Sequence, residues 1–103
     1  MLSRYRWKKR LLILIARDGD VRFQQLEIFV NANQDEIKQR FLQVLSFTPE
    51  QYYFPGYEHK TGFWLVGYDG GIKAFGEKTV FLHTICSIID SMPMRQHEIL
   101  AHN

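Results

Sequence analysis

Near its start this chain has a run of six apolar residues, residues 11–16, with charged residues on both sides. Six residues is the length of a β-strand, and a run without polar alternation is typical of a strand buried on both faces. The run is far shorter than the roughly 20 residues of a membrane span. Because Arg and Lys surround it, we also expect no secretory signal and no membrane-spanning segment.

Local patterns predict the elements that follow this strand. Asp20 is placed to cap a helix on which Leu26, Phe29 and Val30 form one apolar stripe. Thr79 is expected to cap one long final helix, and Pro93 to end or kink it. We further expect an added helical turn at residues 35–39, strands at 41–47, 62–68 and 72–75, a mostly irregular segment at 48–61, a hairpin turn at 69–71, and a short terminal helix at 94–101.

The order of these elements predicts the fold class. Two strands joined by a helix should be parallel with a right-handed crossover, and the last two strands should form an antiparallel hairpin. A chain of 103 residues with 46% hydrophobic residues has the size and apolar content of one domain. We therefore expect residues 1–103 to form a single α/β domain with a mixed four-strand sheet, on the thioredoxin-like plan.

Four segments carry a resemblance to a known family. They are residues 7–10 before the first strand, a helix with Gln24 and Gln25, the hairpin at residues 65–73, and the closing segment at residues 89–98. The chain resembles the thioredoxin-like domain of unknown function found in single-domain bacterial proteins and related to domains of equarin and the sushi-repeat extracellular proteins. The resemblance implies the fold and no particular activity.

The chain departs from the family's pattern in three respects. Residues 48–61 are peculiar to this sequence, and Tyr68 stands where a basic residue is usual. Members of the family are often exported, whereas this sequence shows no export signal. The sequence therefore leaves the compartment open.

Cysteine content argues against redox chemistry. The single cysteine, Cys86, excludes an intrachain disulfide and a multi-cysteine zinc site. A redox thiol would belong at residues 17–20, after the first strand, where Asp18 and Asp20 would raise a thiol pKa. We expect Cys86 to be a structural residue of the final helix, beside Leu82 and Ile89. An antioxidant-like activity of Cys86 is the alternative.

The histidines do not predict a metal site. None of the four has a second histidine at helical i, i+4 spacing. Met92, Met94 and His97 could form a soft Cu(I) site, but methionines that fill the core explain the same residues. We expect no metal and no cofactor. The four histidines are His59, His83, His97 and His102.

Five of the 13 basic residues fall within seven positions of the N-terminal segment. They are a candidate surface for a polyanion or an anionic membrane. An edge strand with Tyr5 and Trp7 on its packed face and solvated cations on the other explains the pattern equally well. A basic head on a mildly acidic body is unlike a nucleic-acid binder, so we expect no nucleic-acid partner. The five residues are Arg4, Arg6, Lys8, Lys9 and Arg10.

The strongest polar candidates flank the predicted helix break at Pro93. Asp90 on one side and Arg95 on the other could form a bidentate pair, with Glu98 close by. Such a pair would either clamp the break and press Met92 and Met94 against the core, or serve as a binding site. The sequence favours a non-enzymatic binding or interaction module with a protein or small-ligand partner. The residues considered for the clamp or site are Asp90, Met92, Met94, Arg95 and Glu98.

Overall fold

The computed structural model describes residues 2–101, which are built around a four-stranded sheet in the order β2-β1-β3-β4. β1 pairs in parallel with β2 and antiparallel with β3, and β3 pairs antiparallel with β4. This confirms the predicted mixed α/β fold with one parallel pair and a hairpin. The strands are β1 Arg10–Ile15, β2 Leu42–Phe47, β3 Gly62–Val66 and β4 Ile72–Gly76.

Within residues 2–101, four α-helices and two 3-10 helices accompany the sheet. Asp20 caps α1 as predicted, since its Oδ1 accepts a 2.9 Å hydrogen bond from the backbone N–H of Arg22. No helix within residues 2–101 is both long and apolar enough to cross a membrane. The helices are α1 Val21–Ala32, α2 Gln34–Gln39, α3 Ile85–Asp90 and α4 Pro93–Ala101, with 3-10 helices at Leu2–Tyr5 and Thr79–Thr84.

Both faces of the central strand are buried, as the continuous apolar run predicts. Leu12 and Leu14 pack against the helices on one face. Leu11 and Ile13 pack with Trp64 on the other face. All six residues of β1 are buried, so the strand has no face in contact with water.

The irregular segment at residues 48–61 covers the second face of the sheet. The ring of Phe54 lies 5.3 Å from Trp64, and Tyr52 meets Phe54 edge-on at 5.2 Å. In the same cluster, the ring of Phe75 of β4 lies 4.5 Å from the ring of Trp64. The segment has no helix or strand, as predicted, and its aromatic side chains form the third layer of the molecule.

The alternative interpretation of residues 4–10 as an edge strand is wrong for residues 4–9. The chain forms a 3-10 helix and then a turn, because the backbone N–H groups of Lys8 and Lys9 both donate to the carbonyl of Tyr5 at 2.9 Å. Trp7 adopts a left-handed conformation with φ 65° and is 64% exposed, so it is not on a packed face. The strand begins only at Arg10.

The final apolar stripe is not one long helix, and Thr79 does not cap it. The stripe begins as the 3-10 helix Thr79–Thr84, and the residue at its N-cap position, Lys78, makes no side-chain capping bond. The hydroxyl of Thr79 bonds to Gln25 instead. Thr84 donates from Oγ1 to the carbonyl of Phe81 at 2.7 Å, which competes with regular helix formation. The predicted break at Pro93 is confirmed.

Candidate functional site

Three arginines are buried at one end of the sheet. β1 and β2 are parallel and begin at this end, with Arg10 as the first residue of β1 and Arg40 just before β2. Arg95 of α4 lies beside them, because the break between α3 and α4 covers this end. We call it the elbow end. Arginine is rarely buried unless it is paired, so the pairing of these three side chains defines the candidate site. Their exposed fractions are 1% for Arg10 and 7% for Arg40 and Arg95.

Arg10 is bonded to three other parts of the chain. Its Nη1 donates to the carbonyl of Arg40 at 2.7 Å. The same nitrogen lies 3.2 Å from the phenolic oxygen of Tyr68 and 3.2 Å from Oε1 of Glu98. The guanidinium carbon lies 4.3 Å from the centre of the Tyr68 ring, which is a cation–π geometry. Arg10 is therefore fixed in position and orientation.

Tyr68 and Glu98 complete this part of the site. The Tyr68 hydroxyl donates a 2.6 Å hydrogen bond to Oε2 of Glu98. Burial raises the pKa of Tyr68 to about 12, and the hydrogen bond to Glu98 adds to the rise. The phenol therefore stays protonated at neutral pH and holds Glu98 together with Arg10.

One nitrogen of Arg10 has no partner. Its Nη2 is buried and makes no hydrogen bond within residues 2–101. Arg10 also lines a cavity of about 270 Å³, which we call the Trp7 cavity. An unmade hydrogen bond at a buried donor costs about 1–3 kcal/mol, so this nitrogen favours any acceptor that reaches it. The cavity is lined by Trp7, Arg10, Tyr68, Asp69, Lys73, Met92, Pro93 and Met94.

Arg40, rather than Arg95, makes the two-bonded pair with Asp90. Nε of Arg40 lies 3.1 Å from Oδ1 of Asp90, and Nη2 lies 2.8 Å from Oδ2. Nη1 of Arg40 donates to the carbonyl of Glu36 at 3.0 Å and to its carboxylate at 2.7 Å. Arg95 reaches Asp90 through Nε alone, at 3.1 Å. The prediction of a bidentate Asp90–Arg95 pair is wrong, because Arg40 binds both oxygens.

The Asp90 carboxylate is shared between two guanidinium groups. Burial raises its pKa, but hydrogen bonds from Arg40 and Arg95 outweigh burial, so the pKa lies below its ordinary value. Asp90 is therefore ionised at neutral pH. It joins the start of β2 to the break between α3 and α4.

Arg95 also joins α4 to the end of α2. Its Nη1 donates to the carbonyl of Gln39 at 2.9 Å and lies 3.6 Å from Oε1 of Glu98. Met92, in the same break, packs against the core as predicted. Met94 is 51% exposed, so the prediction that it presses against the core is wrong. Its side chain borders the Trp7 cavity instead.

Two exposed aromatic residues at this end have a left-handed backbone. Trp7 has φ 65° and Phe41 has φ 52°, which is a strained conformation for bulky residues. Backbone hydrogen bonds hold both: the N–H of Trp7 donates to the carbonyl of Tyr68 at 2.8 Å, and Phe41 accepts from the N–H of Arg10 at 2.8 Å. Strain of this kind is concentrated at functional sites.

The predicted basic patch is smaller than the sequence indicates. Arg10 is buried and points into the elbow end, so it adds nothing to an exposed cationic surface. Arg4 lies over the ring of Tyr5, with its guanidinium carbon 4.9 Å from the ring centre. Lys8 is exposed and Lys9 is half-buried. The predicted patch comprised Arg4, Arg6, Lys8, Lys9 and Arg10.

The opposite end of β1 carries a separate charged group. Nη2 of Arg22 lies 2.7 Å from Oδ2 of Asp20 and 3.0 Å from the hydroxyl of Thr61. Nη1 donates to the carbonyl of Glu77 at 2.8 Å. The hydrogen bond from Arg22 lowers the pKa of Asp20. Asp20 of this ion pair belongs to the turn after β1, the segment in which a redox thiol would belong.

Cys86 is half-buried in α3. Burial raises the pKa of its thiol, which lowers the thiolate fraction at neutral pH. With Gln25 and His83 it borders a groove of about 410 Å³. Among residues 2–101, no group of three or more His, Cys, Asp or Glu side chains is arranged to hold a metal ion. His102 lies outside the described residues.

Sequence reasoning missed Arg40 and misread Arg10. A signal for Arg10 was present, because it continues the i, i+2 phase of Leu12 and Leu14, which face the helices. Assigning Arg10 to the basic segment that precedes β1 obscured this alternation. For Arg40 the local signal was its i,i+4 spacing from Glu36, which does not indicate the pairing with Asp90, 50 residues away in the sequence.

The fold and the elbow end together define a mixed α/β protein with a buried arginine cluster at one end of its sheet. Residues 50–98 match the family described as a domain of unknown function (DUF4174). The match includes Asp90 and Arg95, whereas Arg10 and Arg40 lie outside it. No curated protein and no solved structure gives a significant match.

Proposed function

We propose that this chain is a non-enzymatic binding module with a thioredoxin-like fold, and that the elbow end is its binding surface. The order β2-β1-β3-β4, with β1 and β2 parallel, supports this fold assignment. The turn after β1 supports a non-redox role, because it carries Asp18 and Asp20 where a redox enzyme of this plan needs a thiol.

The unpartnered Nη2 of Arg10 is the observation that carries the proposal. This donor is buried, the rest of the guanidinium is held by Tyr68 and Glu98, and Arg10 lines the Trp7 cavity. A donor that is already fixed loses little conformational freedom when it binds an acceptor. A ligand acceptor that reaches Nη2 from the cavity would therefore gain one positioned hydrogen bond.

The surroundings of Arg10 define the chemistry of the ligand. Glu98 already faces the positive charge of Arg10 at 3.2 Å, so the open nitrogen is best matched by a neutral acceptor such as a carbonyl oxygen. Trp7, Met92 and Met94 contribute aromatic and thioether surface. The ligand we propose is a carbonyl-bearing group on an aromatic or otherwise apolar body.

A pair of small probes tests this function. Benzamide has an aromatic ring and a neutral carbonyl, and toluene has the ring alone. We expect benzamide to cause saturable shifts of the Trp7 indole N–H signal in two-dimensional NMR spectra, with smaller shifts from toluene. The indole of Trp64, buried on the other side of the sheet, is the internal control. Equal responses to both probes, or none to either, would overturn the proposal.

Two variants assign the response to the cavity. Arg10→Lys keeps the positive charge but has no Nη2, so it should reduce benzamide binding and leave the toluene response unchanged. Met94→Ala removes an exposed wall residue without touching the buried cluster, and it should weaken both responses in a chain that folds normally. Unchanged benzamide binding in Met94→Ala would place the binding elsewhere.

Two other functions have less support. An antioxidant-like activity of Cys86 needs a thiolate, and burial raises the pKa of this thiol. A polyanion or membrane surface at the N-terminal segment loses Arg10, which is directed into the protein. Within residues 2–101, neither of these candidate sites has a buried donor that lacks a hydrogen-bond partner.

A further inference from the structure

We propose a second binding site at the elbow end, on the far side of Arg95, that takes a carboxylate carried on an apolar body. The site is a groove of about 630 Å³ between α2 and α4, which we call the Phe41 groove. This inference does not depend on the Trp7 cavity. The residues that carry the argument are Lys9, Asp35, Lys38, Phe41, Arg95 and Ile99.

Arg95 supplies a fixed donor to the groove. Its Nε is held by Asp90 at 3.1 Å and its Nη1 by the carbonyl of Gln39 at 2.9 Å. The hydrogen bonds of Arg95 within residues 2–101 come from Nε and Nη1 and none comes from Nη2, and Arg95 lines the groove. Nη2 is thus the nitrogen that remains for a ligand, on a guanidinium whose orientation is already set.

Phe41 and Ile99 provide the apolar walls. Phe41 is 39% exposed, and its backbone is fixed on both sides: its N–H donates to the carbonyl of Lys38 at 3.1 Å, and its carbonyl accepts from Arg10 at 2.8 Å. Because this backbone is held in a left-handed conformation with φ 52°, the Phe41 side chain leaves it in a fixed direction. Ile99, on α4, is also exposed. An apolar body could bury these two side chains.

The charges of the groove select a single negative charge. Lys9 and Lys38 have no carboxylate within ion-pair distance in residues 2–101, whereas Arg95 is already paired with Asp90. Asp35 offsets one of the two lysines, which leaves about one positive charge for a ligand. A cationic ligand would be repelled, and a purely apolar one would cover the Arg95 donor without an acceptor. A ligand with one carboxylate balances the remaining positive charge of the lysines and accepts a hydrogen bond from Arg95.

A carboxylate of this kind can be a free acid or the C-terminus of a peptide with apolar side chains. We would titrate the protein with octanoate, octanol and octylamine, and with N-acetyl-Leu-Leu as its free acid and as its amide. Backbone amide shifts of α2 and α4 provide the readout. We expect at least one acid to bind at least about tenfold more tightly than its uncharged counterpart, the difference of one good charged contact.

The pattern of binding identifies the source and can refute the site. Binding of octanoate alone indicates a free acid, and binding of the dipeptide acid alone indicates a C-terminus; both support the proposal. Octanol binding as tightly as octanoate, together with amide and acid dipeptides binding equally, would overturn it. Failure here would leave the benzamide result at Trp7 unaffected, so the two proposals fail separately.

Matched lysine variants locate the site without disturbing the buried cluster. Lys38→Glu reverses an exposed charge in the groove, and Lys78→Glu makes the same change at the far end of the sheet. We expect Lys38→Glu to weaken binding of the acid roughly five- to tenfold and Lys78→Glu to change it less than twofold. Equal effects of the two variants would show that the acid responds to net charge alone and would overturn the proposal.

Discussion

Trp7 and Phe41 expose large aromatic rings from backbone positions that favour glycine. The left-handed conformation costs a residue with a side chain about 1–2 kcal/mol. Because both rings are partly exposed, each gains only part of the free energy that full burial of an aromatic ring would give. We interpret the two residues as held for contact with a ligand rather than for stability.

This interpretation predicts the relative stability of two variants at position 7. Both Trp7→Ala and Trp7→Gly remove the indole, but only glycine is relaxed at φ 65°. We expect Trp7→Gly to have a free energy of unfolding about 1 kcal/mol higher than that of Trp7→Ala, measured by urea denaturation. An alanine variant as stable as the glycine variant would show that the backbone at Trp7 is not strained.

At the scale of elements, the carboxylate of Asp90 joins the break between α3 and α4 to the start of β2. Asp90 is bonded twice by Arg40 and once by Arg95. Removing one partner of such a group leaves the others without their counter-charge. The arginines therefore act as a unit.

We expect Arg95→Ala to lower the free energy of unfolding by about 1–3 kcal/mol, the range for a lost charged hydrogen bond. Asp90→Asn should have a similar effect, and the double variant should lose clearly less than the sum of the two. Arg40→Ala should lose more than Arg95→Ala, because Arg40 also binds Glu36. Thermal or urea unfolding of the four variants measures this. If Arg95→Ala and Asp90→Asn leave stability unchanged, the clamp does not exist and Arg95 serves binding alone.

Because the pKa of Asp90 is lowered, we expect the stabilisation from its bonds to Arg40 and Arg95 to depend on pH. Because the pKa in the folded chain lies below the unfolded value of about 3.9, the carboxylate stabilises the fold above that value. The contribution is lost as the pH falls through the lower folded pKa. The stability difference between wild type and Asp90→Asn should therefore be constant from pH 5 to 7 and shrink near pH 3. A difference of equal size at pH 3 and pH 6 would contradict the pairing.

Local patterns predict elements whose causes are local. The buried β1, the cap at Asp20, the hairpin and the break at Pro93 each follow from residues within one turn or one strand. The 3-10 start of the last apolar stripe does not follow from the apolar pattern, because it is accompanied by side-chain hydrogen bonds from Thr84 to Phe81 and from Thr79 to Gln25, the latter pair 54 residues apart. The spacing of apolar residues in a sequence carries no information about side-chain hydrogen bonds of this kind.

At the scale of the molecule, the two ends of the sheet differ in whether every guanidinium nitrogen of Arg22 at one end and of Arg10 at the other has a hydrogen-bond partner within residues 2–101. At one end Arg22 is bonded to Asp20, Thr61 and Glu77. At the elbow end one nitrogen of Arg10 has no hydrogen-bond partner among residues 2–101. The elbow end depends on pairs such as Arg10 with Glu98, separated by 88 residues. Sequence reasoning found Asp90, Arg95 and Glu98 as candidates, but only the folded chain brings Arg10 and Arg40 to them.

A map of backbone amide shifts across the chain at saturating benzamide tests directly whether the elbow end binds a ligand. We expect the shifted residues to cluster at the elbow end, around Trp7, Tyr68 and Met94. The turn around Asp20 and Arg22 should stay unchanged. Shifts concentrated at that opposite end, or no saturable shifts at any residue, would show that the elbow end is not the binding surface.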